Sequence, residues 1–298
     1  MTRHEDVKVP VVCIGSVVAG GAGKTPVAIA LGEALAQRGR HPHFLSRGYG
    51  GTLAGPVRVD RAKHPAYQVG DEPLLLAAVA PTWVARDRAA GARAAANEGA
   101  GVILMDDGFQ NGALRKDISL LVVDGGYGFG NGRVMPAGPL REPVEEALAR
   151  ADAVIVIGED TSGAGARIGT AAPVLTARFV PRPDAERVAG RRVLAFAGIG
   201  RPAKFFETLA GMGCEIVDAV PFPDHHRYTE DEVMGLVEAA AAADAVPVTT
   251  EKDAVRLPPS AEGMVEPVRV ALEWGDPAAF ERLVEAIRRE PGSPDRKV

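Results

Sequence analysis

Short apolar runs recur along the chain at residues 9–14, 43–45, 102–105, 120–123 and 153–157, and stretches with helical spacing lie between them at 26–38, 72–79 and 86–100. Continuous β-branched and aliphatic runs alternating with helices predict a parallel sheet covered on both faces. Gly39 closes the first helix, and the Ala-rich 86–100 stretch reads as a surface helix because Ala has the best helix propensity. A composition shift at Pro181-Arg182-Pro183 predicts a linker or domain edge near 178–191. A second α/β pattern follows, with strands at 193–197, 215–220, 246–249 and 268–272 and helices at 202–212, 230–243 and 277–289. Thr229 and Glu232 form a capping box at the start of the second of these helices. The expectation is an α/β protein with a parallel-sheet domain over residues 1–180 and a smaller C-terminal α/β domain over 181–298. No fixed-period repeat is visible, and 291–298 reads as a frayed end.

With 298 residues, 46% of them hydrophobic, the chain can bury a full core. A net charge of −5 argues against a nucleic-acid partner, whose phosphates basic residues would have to neutralise. Arg191-Arg192 and Arg288-Arg289 read as solvated surface charge. Cys13 and Cys214 have neither a metal-ligand spacing nor a disulfide framework, and both are expected to be buried thiols in a reducing cytoplasm. The start, 1–8, is polar, and no stretch approaches the ~18 apolar residues that a membrane span needs. A cytoplasmic protein, peripheral at most, is expected.

The first apolar run leads into Gly20-Gly21-Ala22-Gly23-Lys24-Thr25 and then into a helix. Such a turn is a P-loop: its glycines let backbone amides converge on phosphates, the lysine reaches the β- and γ-phosphates, and the threonine hydroxyl can hold Mg²⁺. The helix behind directs its positive end at the same anion. Val18 stands where the strict spacing wants glycine, with Gly15 further back, so the loop is a long variant.

Ligands of such sheets bind beyond the carboxyl ends of the strands, which places the loop, Ser46-Arg47-Gly48 and Asp106-Asp107 on one rim. Asp106 and Asp107 end a buried strand, as a Walker B element does. Locally, Asp71 reads best as a helix N-cap with Pro73 in the first turn, although it could also accept the proton of an attacking hydroxyl. His225 and His226 are adjacent and unsuited to chelating one metal, but one of them could tune a carboxylate across a cleft. Arg47 and Arg141 could each clamp a phosphate or simply brace a turn. Thr250 reads as a helix cap, with Asp253 three residues on.

Gly20–Pro26, Ser46-Arg47-Gly48-Tyr49-Gly50, Gly70-Asp71-Glu72-Pro73, Asp106-Asp107-Gly108-Phe109-Gln110, Pro136-Ala137-Gly138-Pro139-Leu140-Arg141-Glu142-Pro143, Asp224-His225-His226 and Thr250-Glu251-Lys252-Asp253 stand in this order. Together, over about residues 9–257, they resemble the tetraacyldisaccharide 4′-kinase family of lipid A biosynthesis. The resemblance implies transfer of the ATP γ-phosphoryl group to the 4′-hydroxyl of a lipid A disaccharide 1-phosphate, at the cytoplasmic face of the inner membrane; a monomer is expected, although the sequence itself is silent on oligomeric state. It implies Asp71 as general base assisted by His225. Gly20, Gly21, Ala22, Gly23, Lys24 and Thr25 would bind ATP; Thr25, Asp106, Asp107 and Glu142 would organise Mg²⁺; Arg141 would contact phosphate or substrate. It further implies two α/β domains joined by a β-strand linker, with the site between them.

Two positions depart from the family. Ser16 stands where Asn is usual, and only eight residues precede the first run, where the family commonly carries an amphipathic helix. Either the start site is misassigned, or membrane contact relies on basic and apolar surface near the cleft. The alternative is a nucleotide-switch ATPase acting on a protein partner, but Ala19 occupies the place of that group's signature lysine and no Asn-Lys-x-Asp element is present.

Overall fold

The computed structural model describes residues 5–287. Its elements run β1 (Val11–Gly15), α1 (Lys24–Gln37), β2 (Pro42–Ser46), β3 (Val57–Arg58), α2 (Ala66–Val69), α3 (Asp71–Leu76), β4 (Thr82–Val84), α4 (Arg88–Asn97), β5 (Val102–Asp106) and β6 (Ile118–Asp124). They continue with α5 (Val144–Leu148), β7 (Ala153–Ile157), α6 (Ala164–Ile168), β8 (Val174–Pro181), β9 (Arg192–Ala197), α7 (Pro202–Gly211), β10 (Glu215–Pro221) and α8 (Glu230–Ala242). The last are β11 (Val246–Thr250), α9 (Glu251–Ala254), β12 (Glu266–Val268), β13 (Val270–Trp274) and α10 (Pro277–Ala286).

Two sheets organise the chain. The larger has nine strands in the order β13-β8-β7-β6-β1-β5-β2-β4-β3, parallel except for the antiparallel edges β3 and β13. The smaller, β10-β9-β11-β12, is wholly parallel. Strands β1, β2, β5 and β7 are buried along their whole length, which is why they read as unbroken apolar runs. On one face Val27, Leu31 and Leu35 of α1 pack with Phe44, Leu104 and Leu120, and on the other Cys13, Leu121 and Val123 meet Phe109 and Val144. Gly15 permits that second layer, since a Cβ there would stand 2.4 Å from Phe109 Cβ.

Several expectations need correction. At the linker or domain edge expected near 178–191, 178–181 is the end of β8, and a 3₁₀ turn, Pro183–Arg187, follows. Not everything after 181 belongs to the smaller unit. Val270–Trp274 pairs antiparallel with β8 in the larger sheet, and α10 packs Leu283 and Val284 into the α1 core. The short strands β3 and β4 were not anticipated. Cys13 is buried, with its thiol pushed up to about 12 chiefly by burial, whereas Cys214 is half-buried and donates to the Val188 carbonyl. The capping box is formed, with Glu232 N donating to Thr229 Oγ1 at 3.2 Å. The expectations for Arg288-Arg289 and 291–298 lie outside the described residues.

Candidate active site

Strand β1 is central in the larger sheet and carries the glycine loop at its carboxyl end. Gly23, in the left-handed region at φ 90°, precedes α1, and no side chain caps that helix. A 14-residue helix therefore offers its first amides to an anion. Residues before the loop are stapled to a distant segment: Ala19 N donates to Pro139 O (3.0 Å) and Arg141 N to Val17 O (2.7 Å). This pairing accounts for the long loop with Val18 and sets Arg141 beside it. Gln110 Nε2 donates to Ser16 O at 3.0 Å, and the buried Ser16 hydroxyl accepts from Val18 N at 3.2 Å, so backbone and side chain at position 16 both shape the loop.

Parallel pairing of β1 with β5 sets Asp106 level with Ile14, next to the loop. Thr25 Oγ1 donates to Asp106 Oδ2 (3.2 Å), while Asp106 Oδ1 is buried with no hydrogen-bond partner. Burial above all, then Glu72 and Asp107, push this carboxyl up to about 7, against the pull of Lys24 and Thr25. A hydroxyl beside an orphaned carboxylate oxygen suits a hard dication, so the donor set fits Mg²⁺. Asp107 has a different setting. Arg141 grips it bidentately at 2.7 and 3.1 Å, and Lys24 Nζ lies 3.7 Å away. Burial works against its charge, but these two cations outweigh it and hold the pKa below the usual value. Glu142 is not brought to this cluster. Its carboxylate is taken by Gln110 (2.9 Å) and Arg150 (2.6 Å), and it does not line the cleft.

Asp71 is the first residue of α3, with Gly70 rather than Asp71 at the cap position. Its Oδ1 accepts from Glu72 N at 3.0 Å, and its Oδ2 meets His225 Nδ1 at 2.9 Å. Arg256 Nε stands 3.5 Å and Lys252 Nζ 3.9 Å from the same oxygen. Burial would raise this carboxyl, yet the His225 hydrogen bond and the two cations hold it well below the usual range. His225, itself left-handed at φ 59°, is raised chiefly by its hydrogen bond to Asp71. Asp71 is 3% exposed and sits behind its partner; His225, Glu72 and Lys252 line the cleft. Oxygens of Asp71 and Glu72 and a His225 nitrogen cluster within 4.8 Å, but Lys252, 2.9 Å from Glu72, already supplies positive charge there. His226 turns away, 3.1 Å from Glu232 and stacked on Phe222.

One cleft of about 1740 Å³ joins the glycine loop, Asp106, Asp107, Arg141 and His225. Among the cleft residues that escaped the sequence reading are Asp124, Arg201, Lys204 and Arg88. Asp124, at the end of β6 and 5% exposed, pairs with Arg201 (2.7 Å) and Lys204 across the two units. Its place after an apolar strand, like that of Asp106, was the available signal. Arg88, 4% exposed, lines the cleft near Arg47, and its Nε lacks a partner.

A glycine loop on the central strand, a Walker B-like acid on the adjacent strand and a cleft closed by a second unit define a P-loop nucleotide-binding fold of the kinase type. The family model described as LpxK, tetraacyldisaccharide-1-P 4′-kinase, matches residues 1–288, and the chain belongs to that family. A tetraacyldisaccharide 4′-kinase of Rhodospirillum centenum is 58% identical over 287 residues, covering 96% of this chain and 85% of the relative. One from Rhodospirillum rubrum is 53% identical, covering 96% and 90%. The crystal structure of LpxK from Aquifex aeolicus in complex with ATP superposes with a TM-score of 0.74 at 25% identity, covering 96% of this chain and 90% of that one.

Proposed function

We propose that this enzyme transfers the γ-phosphoryl group of ATP to the 4′-hydroxyl of a lipid A disaccharide 1-phosphate. The observation that carries the reading is the opening of the anion loop and of the Asp71–His225 pair onto one cleft, in a chain of the 4′-kinase family. The amides of 20–25 and Lys24 hold the phosphates, and Arg141 adds a second positive charge beside them. Thr25 and Asp106 would hold Mg²⁺, which neutralises phosphate charge when bound. His225 Nδ1 is committed to Asp71, so its Nε2 is the atom free to take the acceptor proton. The buried carboxylate orients the ring and balances the imidazolium that forms. Asp71 thus acts through His225 rather than on the hydroxyl itself. The expected magnesium role of Glu142 is not part of this proposal.

Contact with the membrane surface is peripheral in this reading. No helix among the described residues is long and apolar enough to cross a bilayer. The excursion 47–68 beside the dyad carries Arg47, Arg58, Arg61 and Lys63 against Asp60 alone, with Tyr49 and Tyr67 exposed. Basic residues and amphipathic rings at a cleft mouth suit anionic headgroups. Every group invoked comes from one chain, so a monomer suffices. Incubation with γ-labelled ATP and lipid A disaccharide 1-phosphate should yield the 4′-phosphorylated glycolipid. ATP turnover that ignores the glycolipid and responds to a protein partner would refute the assignment.

A further inference from the structure

Asp71 belongs to the larger unit, yet the positive charge around it comes from elsewhere. His225 follows β10, Lys252 lies in α9, and Arg256 lies just beyond α9. From α3 itself the carboxylate faces only the Glu72 amide and the Glu72 carboxylate, which Lys252 neutralises at 2.9 Å. Asp224 stands 3.8 Å from the other ring nitrogen of His225, and the Tyr49 ring lies against that imidazole at 5.3 Å.

Arg256 is 5% exposed in its side chain and is held by more contacts than a surface ion pair offers. Its Nη1 donates to His226 O (3.1 Å), and its Nη2 to Gly198 O (2.9 Å) and to Asp253 Oδ1 (2.7 Å). Asp253 is fully buried and also accepts from Gly198 N (2.8 Å), Tyr228 Oη (2.7 Å) and Thr250 Oγ1. Three hydrogen bonds hold the two outer nitrogens, and Nε donates to Lys252 O (3.2 Å), so the guanidinium is fixed with its charge 3.5 Å from Asp71 Oδ2. The Thr250-Glu251-Lys252-Asp253 turn is therefore more than a helix start: it seats two cations against the catalytic pair.

We infer that Arg256 and Lys252 are positioning residues, anchored through Asp253 in the smaller unit, which hold Asp71 ionised and oriented toward His225 so that this unit arms the base. This rests on the kinase reading above. A cation beside the pair disfavours the imidazolium, so removing one must raise the pH at which the pair gives up its last proton.

The test uses Lys252→Met, Arg256→Met and Arg256→Lys, with two readouts: the acid limb of kcat/KM for the glycolipid, and titration of the His225 imidazole by NMR in the protein without substrates. Both Met variants should move limb and titration up by about 0.5–1 pH unit, whereas Arg256→Lys stays near wild type and KM for ATP is unchanged. Should Arg256→Met fail to fold, Lys252→Met, at a cleft-lining position, decides by the same criterion. Lower kcat with limb and titration at their wild-type positions would assign these cations a merely structural role and overturn the inference. A wild-type enzyme inactive on the glycolipid would instead overturn the proposed function, and the imidazole titration would still decide this one.

Discussion

Replacing Asp106 by Asn should make the protein more stable and inactive at once. The carboxyl is 3% exposed, one of its oxygens has no partner, and its pKa of about 7 stands against 3.8 for the unperturbed group. A raised folded-state pKa in an acid means that ionisation favours the unfolded chain. The penalty is absent below pH 3.8, grows as pH rises toward 7 and is constant above. Three pKa units at 1.36 kcal/mol each give about 4 kcal/mol at pH 8. Asparagine escapes that cost and its carbonyl can still accept from Thr25, but its amide hydrogens take the unpartnered position at a cost of about 1–2 kcal/mol. The variant should then gain about 2–3 kcal/mol at pH 8 without metal, or roughly 4–9 °C in Tm.

The assay is thermal unfolding of both proteins from pH 5 to 8, with and without Mg²⁺. The stability difference should widen with pH. Mg²⁺ should stabilise the wild type more than the variant, because only the wild type presents a full negative charge to it. A difference that is flat with pH, or an Asn variant less stable than wild type at pH 8, would refute the argument that Asp106 is held charged against its surroundings.

Asp71→Asn should lower kcat by about 10²- to 10⁴-fold with ATP affinity retained. Because Asp71 is what raises His225, the acid limb should move to lower pH, opposite to the Lys252 variant; an unmoved limb would separate the two side chains functionally. Lys24→Met should weaken ATP binding about 10- to 100-fold by calorimetry, the worth of one charge-assisted contact, and an unchanged Kd would remove Lys24 from the phosphate site. Gly15→Ala drives a methyl to within 2.4 Å of Phe109 Cβ and 2.9 Å of its backbone N, so it should lose about 1–3 kcal/mol in denaturant unfolding. A loss below about 0.5 kcal/mol would mean that the 108–110 turn yields freely.

What could be read from the chain was local. The glycine loop between an apolar run and a helix, the Asp106 strand end and the Thr229 and Thr250 caps are each specified within a few residues, and they form as expected. The failures were long-range. Val270–Trp274 has strand propensity, but nothing in its sequence says that its partner is β8, across the whole smaller unit. Glu142 follows Arg141 directly, yet in the bend they share Arg141 turns to Asp107 and Glu142 to Arg150. Arg256 carried no local signal at all, because its significance comes from Asp71, far back in the sequence.

These long-range contacts follow one division of charge. The rim acids Asp71, Asp106, Asp107 and Asp124 all belong to the larger unit, whereas Arg201, Lys204, His225, Lys252 and Arg256 belong to the smaller. Docking of the smaller unit satisfies Asp124 through Arg201 and Lys204, and Asp71 through the other three. Lys24 and Arg141 satisfy Asp107 from within the larger unit. Of the four acids, Asp106 alone keeps a buried oxygen without a partner, in contact with the hydroxyl that follows the loop lysine. Three acids are thus neutralised by protein cations, and in the proposed reading the fourth awaits a charge that the nucleotide brings with it. The same charge accounting supports the proposal of a dication at Asp106 rather than at the Asp71–Glu72–His225 cluster, where Lys252 and Arg256 already stand.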